Sequence, residues 1–145
     1  MKNLSSKFRM VLVCLGMCMV IGMPALASSY NSTLSMSTDC WQFSGSTRKY
    51  SGKSIKMSMS LKRKVTQAGG NQVYLRASLY RKNLIFSDYV SYHNYDDFSG
   101  KETHKWVNVG SGKYYWSFEK KMPKNHDYYK YFVAFNSKNV KMYNY

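Results

Sequence analysis

"IKMSMSLKRKVTQAGGNQVYLRASLYRK", residues 55–82, decides the fold class of this chain. Ile55, Met57, Met59 and Leu61 alternate with Lys56, Ser58, Ser60, Lys62 and Lys64. Side chains two apart on an extended chain share a face, so this is the pattern of a strand with one buried and one wetted side. Wound as a helix, the same apolar residues would scatter around the circumference. Val73, Leu75, Ala77 and Leu79 alternate in the same way with Tyr74, Arg76, Ser78 and Tyr80. Gly69-Gly70-Asn71 supplies turn chemistry between the two runs, which predicts that they form a hairpin.

The same reading extends in both directions. Upstream, residues 31–38 place Leu34 and Met36 on one face of a serine-rich strand, and residues 41–44 make a short second one. Downstream, residues 84–93 carry apolar side chains on both faces, and "NYDDFSG" (94–100) reads as a polar loop. "WVNVGSGKYYWSFEKK" (106–121) reads as a second hairpin turning at Gly110-Ser111-Gly112. In it Tyr114, Trp116 and Phe118 share the inner face, while Lys113, Tyr115, Ser117, Glu119 and Lys121 share the outer one. Pro123 ends this strand. Residues 128–135 follow as a strand, residues 136–139 as a turn, and residues 140–145 as the last strand. About eight short strands without a helical pattern predict an all-β, antiparallel two-sheet β-sandwich, Ig-like or jelly-roll-like.

The first 27 residues read as a targeting segment. Lys2, Lys7 and Arg9 precede an uncharged apolar run from Met10 to Met23, and Ala25-Leu26-Ala27 offers small residues where a signal peptidase cuts. The run is too short to span a bilayer, which takes about 20 apolar residues. This predicts a secretory signal peptide over 1–27 and one β-sandwich domain over 28–145, exported to the extracellular space or the cell wall. Cys40 is the one cysteine in that domain, so no intramolecular disulfide can form within it. Burial as a small hydrophobe, a free thiol and an intermolecular bridge remain open for it.

Charge and chemistry narrow the function. Of the 22 Lys and Arg, three lie in the leader; the 19 that remain face 7 Asp and Glu, a net charge of +12. Such a surface is drawn to polyanions: wall polymers, acidic glycans, membrane surfaces. Nucleophile elbows, helical histidine pairs and phosphate-cradling glycine loops are missing from the sequence, and its few carboxylates stand mostly among lysines. The chain is therefore read as non-enzymatic and without a cofactor. His93, His104 and His126 are expected to be solvated at strand ends or in loops. Asp96 and Asp97, with neighbouring loop oxygens, are candidate hard ligands for Ca²⁺. Their spacing lacks the EF-hand pattern, and turn formation accounts for them as well. Specific nucleic-acid binding has no motif to support it.

The candidate binding surface is the wetted side of the strands around residues 55–82. Lys56, Lys62, Lys64, Tyr74, Arg76, Tyr80 and Lys82 would lie on one outer face if the two strands are neighbours, with Tyr115 available from the second hairpin. Lysine attracts phosphate as a point charge, arginine can grip it with two hydrogen bonds, and tyrosine offers a flat ring to a sugar. The succession "STRKYSGKSIKMSMS", "VYLRASLYRK" and "KWVNVGSGKYYWSFEKK", spanning about residues 46–121, resembles small secreted β-sandwich proteins of Gram-positive bacteria. That resemblance implies the fold and export and brings no catalytic residues with it. The expected function is a secreted binding module for an anionic cell-surface or wall polymer. A cationic antimicrobial or membrane-active toxin is the alternative, and a structural surface or matrix protein is another.

Overall fold

The computed structural model describes residues 29–122 and 127–144. The leader expected over 1–27 lies outside the described residues, as do Pro123 and His126. The described residues form ten strands: β1 (Ser29–Met36), β2 (Gln42–Ser44), β3 (Arg48–Tyr50), β4 (Ile55–Met59), β5 (Lys62–Val65), β6 (Tyr74–Lys82), β7 (Ser87–Tyr95), β8 (Glu102–Trp106), β9 (Gly112–Lys121) and β10 (Val133–Asn144). They make two antiparallel sheets. Sheet I runs β1-β10-β4-β8, with β5 also pairing along β10; sheet II runs β2-β9-β6-β7, with β3 also along β9. The architecture is an all-β two-sheet sandwich, as the alternation predicts.

The apolar stripes face each other across the sandwich. Ile55, Met57 and Met59 of sheet I meet Leu75, Ala77 and Leu79 of sheet II in one core, and all six are fully buried. Trp116 sits within it, 2% exposed, edge-on to Tyr50 at 5.7 Å and to Trp106 at 6.0 Å between ring centroids. Tyr95 ties the sheets together directly: its hydroxyl donates to the Met57 carbonyl at 3.2 Å. Tyr114, Trp116 and Phe118 are buried as their spacing predicts.

The neighbours of the strands differ from the expectation. The predicted hairpin across residues 55–82 is instead a crossing between sheets, because β4 and β5 belong to sheet I and β6 to sheet II. Alternation fixes which face of a strand is buried; it does not fix which strand lies beside it. Two strands with like stripes can bury them side by side or face to face, and here they do the second. The glycines serve that crossing. Gly69 has φ of 93°, and a Cβ on Gly70 would lie 2.8 Å from Val133 Cγ2 and 2.9 Å from Val65 Cγ1. Residues 106–121 also cross rather than fold back, from β8 in sheet I to β9 in sheet II, with Asn108 (φ 57°) and Gly110 (φ 72°) in the left-handed region.

Two further segments depart from the reading. Residues 128–132 lie in a 3-10 helix, Asp127–Phe132, rather than in a strand. The turn expected at 136–139 lies within the continuous β10. Against β1, Val140 and Ser137 of β10 face Ser32 and Leu34, so one extra residue is accommodated on β10. Its pairings with β5 and β4 carry the same offset: Asn136 faces Lys62, and Lys141 faces Ser58. The polar Asn-Ser-Lys-Asn stretch is a bulge, which bends a strand without ending it.

Candidate functional site

The eight residues singled out by sequence divide between the two sides of the molecule. Lys56 (β4), Lys62 and Lys64 (β5) belong to sheet I. Tyr74, Arg76, Tyr80 and Lys82 (β6) and Tyr115 (β9) belong to sheet II. The single face that required β4 and β6 to be adjacent does not form. The sheet II members do come together, since β6 pairs with β9 along its length.

The outer face of sheet II is built in cross-strand rows. Tyr74 faces Lys121, Arg76 faces Glu119, Ser78 faces Ser117 and Tyr80 faces Tyr115. On the other side of β6, Asn94 faces Arg76, Tyr92 faces Ser78 and Tyr89 faces Tyr80. Tyr115, Tyr80 and Tyr89 thus form a row of three rings. Tyr80 stacks on Tyr115 with centroids 5.2 Å apart and planes 10° from parallel, and meets Tyr89 edge-on at 5.6 Å. Such pairs add to sheet stability beyond simple burial.

A bulge makes this row possible. Leu79 pairs with Ser91 and Tyr80 with Tyr89, so β7 carries one extra residue at Val90. Tyr89 and Tyr92 are three apart and would otherwise point to opposite sides. With the bulge both stand opposite outward residues of β6, and they are 54% and 44% exposed.

Arg76 is held above the row. Its Nε donates to Asn94 Oδ1 at 3.0 Å, and its guanidinium carbon lies 4.0 Å from the Tyr92 ring centroid. Glu119, opposite Arg76, pairs with Lys121 at 2.6 Å. Below the row, Lys113 precedes Tyr114 on β9 and lies with Lys82 around one surface hollow. Lys49 of β3 faces Lys113. The face therefore presents tyrosine rings between cationic groups.

Three features escaped the sequence reading. Leu84, Ile85 and Phe86 are not strand residues: β7 starts at Ser87, and these three form the tip of the β6–β7 hairpin, 104%, 83% and 69% exposed. His93 and His104 are not solvated ends but a stacked pair, 4.0 Å between centroids, where the edges of the two sheets meet. Glu102 Oε1 lies 2.6 Å from His93 Nε2, and burial, helped by the charge of His93, pushes His104 below the usual histidine range. Lys120 follows Phe118 onto the inner face and is fully buried, its ammonium donating to the carbonyls of Ser37 (2.7 Å), Thr38 (3.0 Å) and Lys130 (3.2 Å). Three acceptors match its three donors, which is why a lysine can sit there.

The acidic loop is turn chemistry. Asp97 Oδ1 accepts from the Ser99 backbone N–H at 2.8 Å and from the Ser99 hydroxyl at 2.6 Å, which holds its carboxyl below the usual range. Among the described residues no group of three or more His, Cys, Asp and Glu is placed to hold a metal ion. Cys40 is half-buried and free, its thiol 3.7 Å from the Gln42 carbonyl.

Comparison with known proteins adds little to this geometry. No protein-family model matches the chain, and no curated protein matches it. Among solved structures, a crystal structure of the Yersinia pseudotuberculosis-derived mitogen is similar at a TM-score of 0.38 and 11% identity, over 81% of this chain and 85% of that one. No helix among the described residues is long and apolar enough to cross a membrane.

Proposed function

We propose that this protein is a secreted, non-enzymatic binding module that holds an anionic cell-surface or wall polymer against the outer face of sheet II. The observation that carries this reading is the cross-strand row Tyr115–Tyr80–Tyr89 with Arg76 fixed over Tyr92. Rings and cations alternate on one side of one sheet. A sugar–phosphate or uronic-acid chain offers what such a surface takes: flat apolar patches for the rings and anionic groups for the cations. The leader supports export, and the net charge supports a polyanionic partner.

The sheets provide an internal control. Arg76→Ala with Tyr115→Ala alters sheet II, while Lys62→Ala with Lys64→Ala removes two charges from sheet I. With an immobilised glycerol-phosphate polymer, the sheet II pair is expected to weaken binding at least about tenfold, and the sheet I pair by far less. Affinity should fall steeply with salt, because exposed charges are screened within about 8 Å at physiological ionic strength. Equal losses in both pairs would mean that net charge alone drives binding, and the sheet II site would be abandoned.

A further inference from the structure

The tip of the β6–β7 hairpin is built against ordinary turn chemistry. Asn83 N–H donates to the Phe86 carbonyl at 3.0 Å, so Leu84 and Ile85 occupy the two corners of a tight turn. Those corners usually take Asn, Asp or Gly. Here they hold two large aliphatic side chains with a phenylalanine behind, and the chain buries none of the three. Exposed hydrophobes scattered singly need no explanation; three in succession at a projecting point do.

We propose that Leu84, Ile85 and Phe86 insert into the interface of an anionic lipid bilayer. The shape selects this occupant. A convex apolar point suits a fluid surface that closes around it, and a second copy offers no matching socket in the tip itself. The charge agrees. Arg81 and Lys82 immediately precede the turn, and Lys113 lies beside Lys82 and Leu84 around the same hollow. At about 3.4 Å per strand residue, Lys82 stands roughly 7 Å behind Leu84 and Tyr80 roughly 14 Å. Interfacial elements sink their apolar side about 5–10 Å into the headgroup–acyl boundary. That depth seats the tip among acyl chains, the cations among phosphates, and Tyr80 with Tyr89 where tyrosine is favoured at the membrane–water boundary. The proposal stands on the tip and the residues just behind it, and it does not need a polymer bound to sheet II.

The test uses the full chain carrying Phe86→Trp, with vesicles of phosphatidylcholine and phosphatidylglycerol containing acyl-brominated lipid. The emission added by the new tryptophan should shift to shorter wavelength and be quenched by the brominated chains, beyond any change in the unmodified protein. Leu84→Ser, Ile85→Ser and Phe86→Ser together should lower vesicle partitioning by about a hundredfold or more, on the apolar transfer energy of three such side chains. A tryptophan at 86 that stays water-exposed in the presence of vesicles overturns the proposal, whether or not other parts of the chain bind lipid. So does concentration-dependent dimerisation that shields position 86 without lipid, which would assign the tip to a second copy.

Discussion

Tyr80 and Tyr115 face each other across β6 and β9 with their rings stacked at 5.2 Å, on the side of sheet II away from the core. One strand step along β9, Trp116 points the other way and fills that core. The two roles of "YYW" follow from the period of two, and they call for opposite mutational outcomes.

Trp116→Ala should act on stability. The indole is 2% exposed and packs on Tyr50 and Trp106. Truncating a buried tryptophan costs about 3–5 kcal/mol. Urea unfolding should show that loss, whereas Tyr115→Ala should move the midpoint far less.

Lys120→Met tests the buried ammonium. The methionine keeps the apolar stem but leaves the Ser37, Thr38 and Lys130 carbonyls without their donor. An unsatisfied buried polar group costs about 1–3 kcal/mol. Lys120→Met should be destabilised by that order in chemical denaturation. Wild-type stability would show that these carbonyls find water instead.

Acid should weaken the fold through His104. Burial is the main reason its imidazole is held below 6.5, its ordinary value, and His93 stacked on it adds to this; Trp106 meets its ring edge-on, Met57 faces it from β4, and Glu102, two residues before it on β8, pairs with His93. Its folded value is thus lower than its unfolded one. The unfolded chain then binds the proton first, so stability is full above about pH 6.5 and falls as pH drops from there toward the folded value. Denaturation midpoints at about pH 7.5 and about pH 5.5 should differ in that direction. His104→Gln should flatten this part of the profile.

Gly70→Ala probes the crossing between sheets. The added methyl would meet Val133 at 2.8 Å and Val65 at 2.9 Å, with the Phe132 carbonyl at 3.2 Å. Overpacking of this kind costs about 1–3 kcal/mol. Thermal melting should show Gly70→Ala less stable than wild type. Gly100→Ala, where a new Cβ meets nothing within 4 Å, is the matched control.

Much of this fold is legible in the sequence because burial imposes a period. Ile55 to Met59, Leu75 to Leu79 and Tyr114 to Phe118 state their inner faces directly. Sheet membership is not periodic. The glycines at 69–70 and 110–112 mark changes of direction, and the same residues serve a hairpin or a crossing. That ambiguity joined Lys56, Lys62 and Lys64 to a face they do not share. Bulges are equally silent: Val90 brings Tyr89 and Tyr92 to one side, and the bulge in β10 reads as a turn because its residues are polar. The apolar turn at Leu84-Ile85 reads as strand because its composition is that of a strand. Lys120 showed its position through its parity with Phe118, but a charge at an inward position is normally read as an end.

The most direct measurement of the binding account is a residue-resolved titration. Amide shifts of the isotope-labelled protein would be followed by NMR as a short glycerol-phosphate oligomer is added. Perturbations should concentrate on outward residues of β6, β7 and β9, centred on Arg76, Tyr80, Tyr92 and Tyr115, with Lys56, Lys62 and Lys64 little affected. Shifts spread evenly over the lysines of both sheets, or centred on β4 and β5, would contradict it.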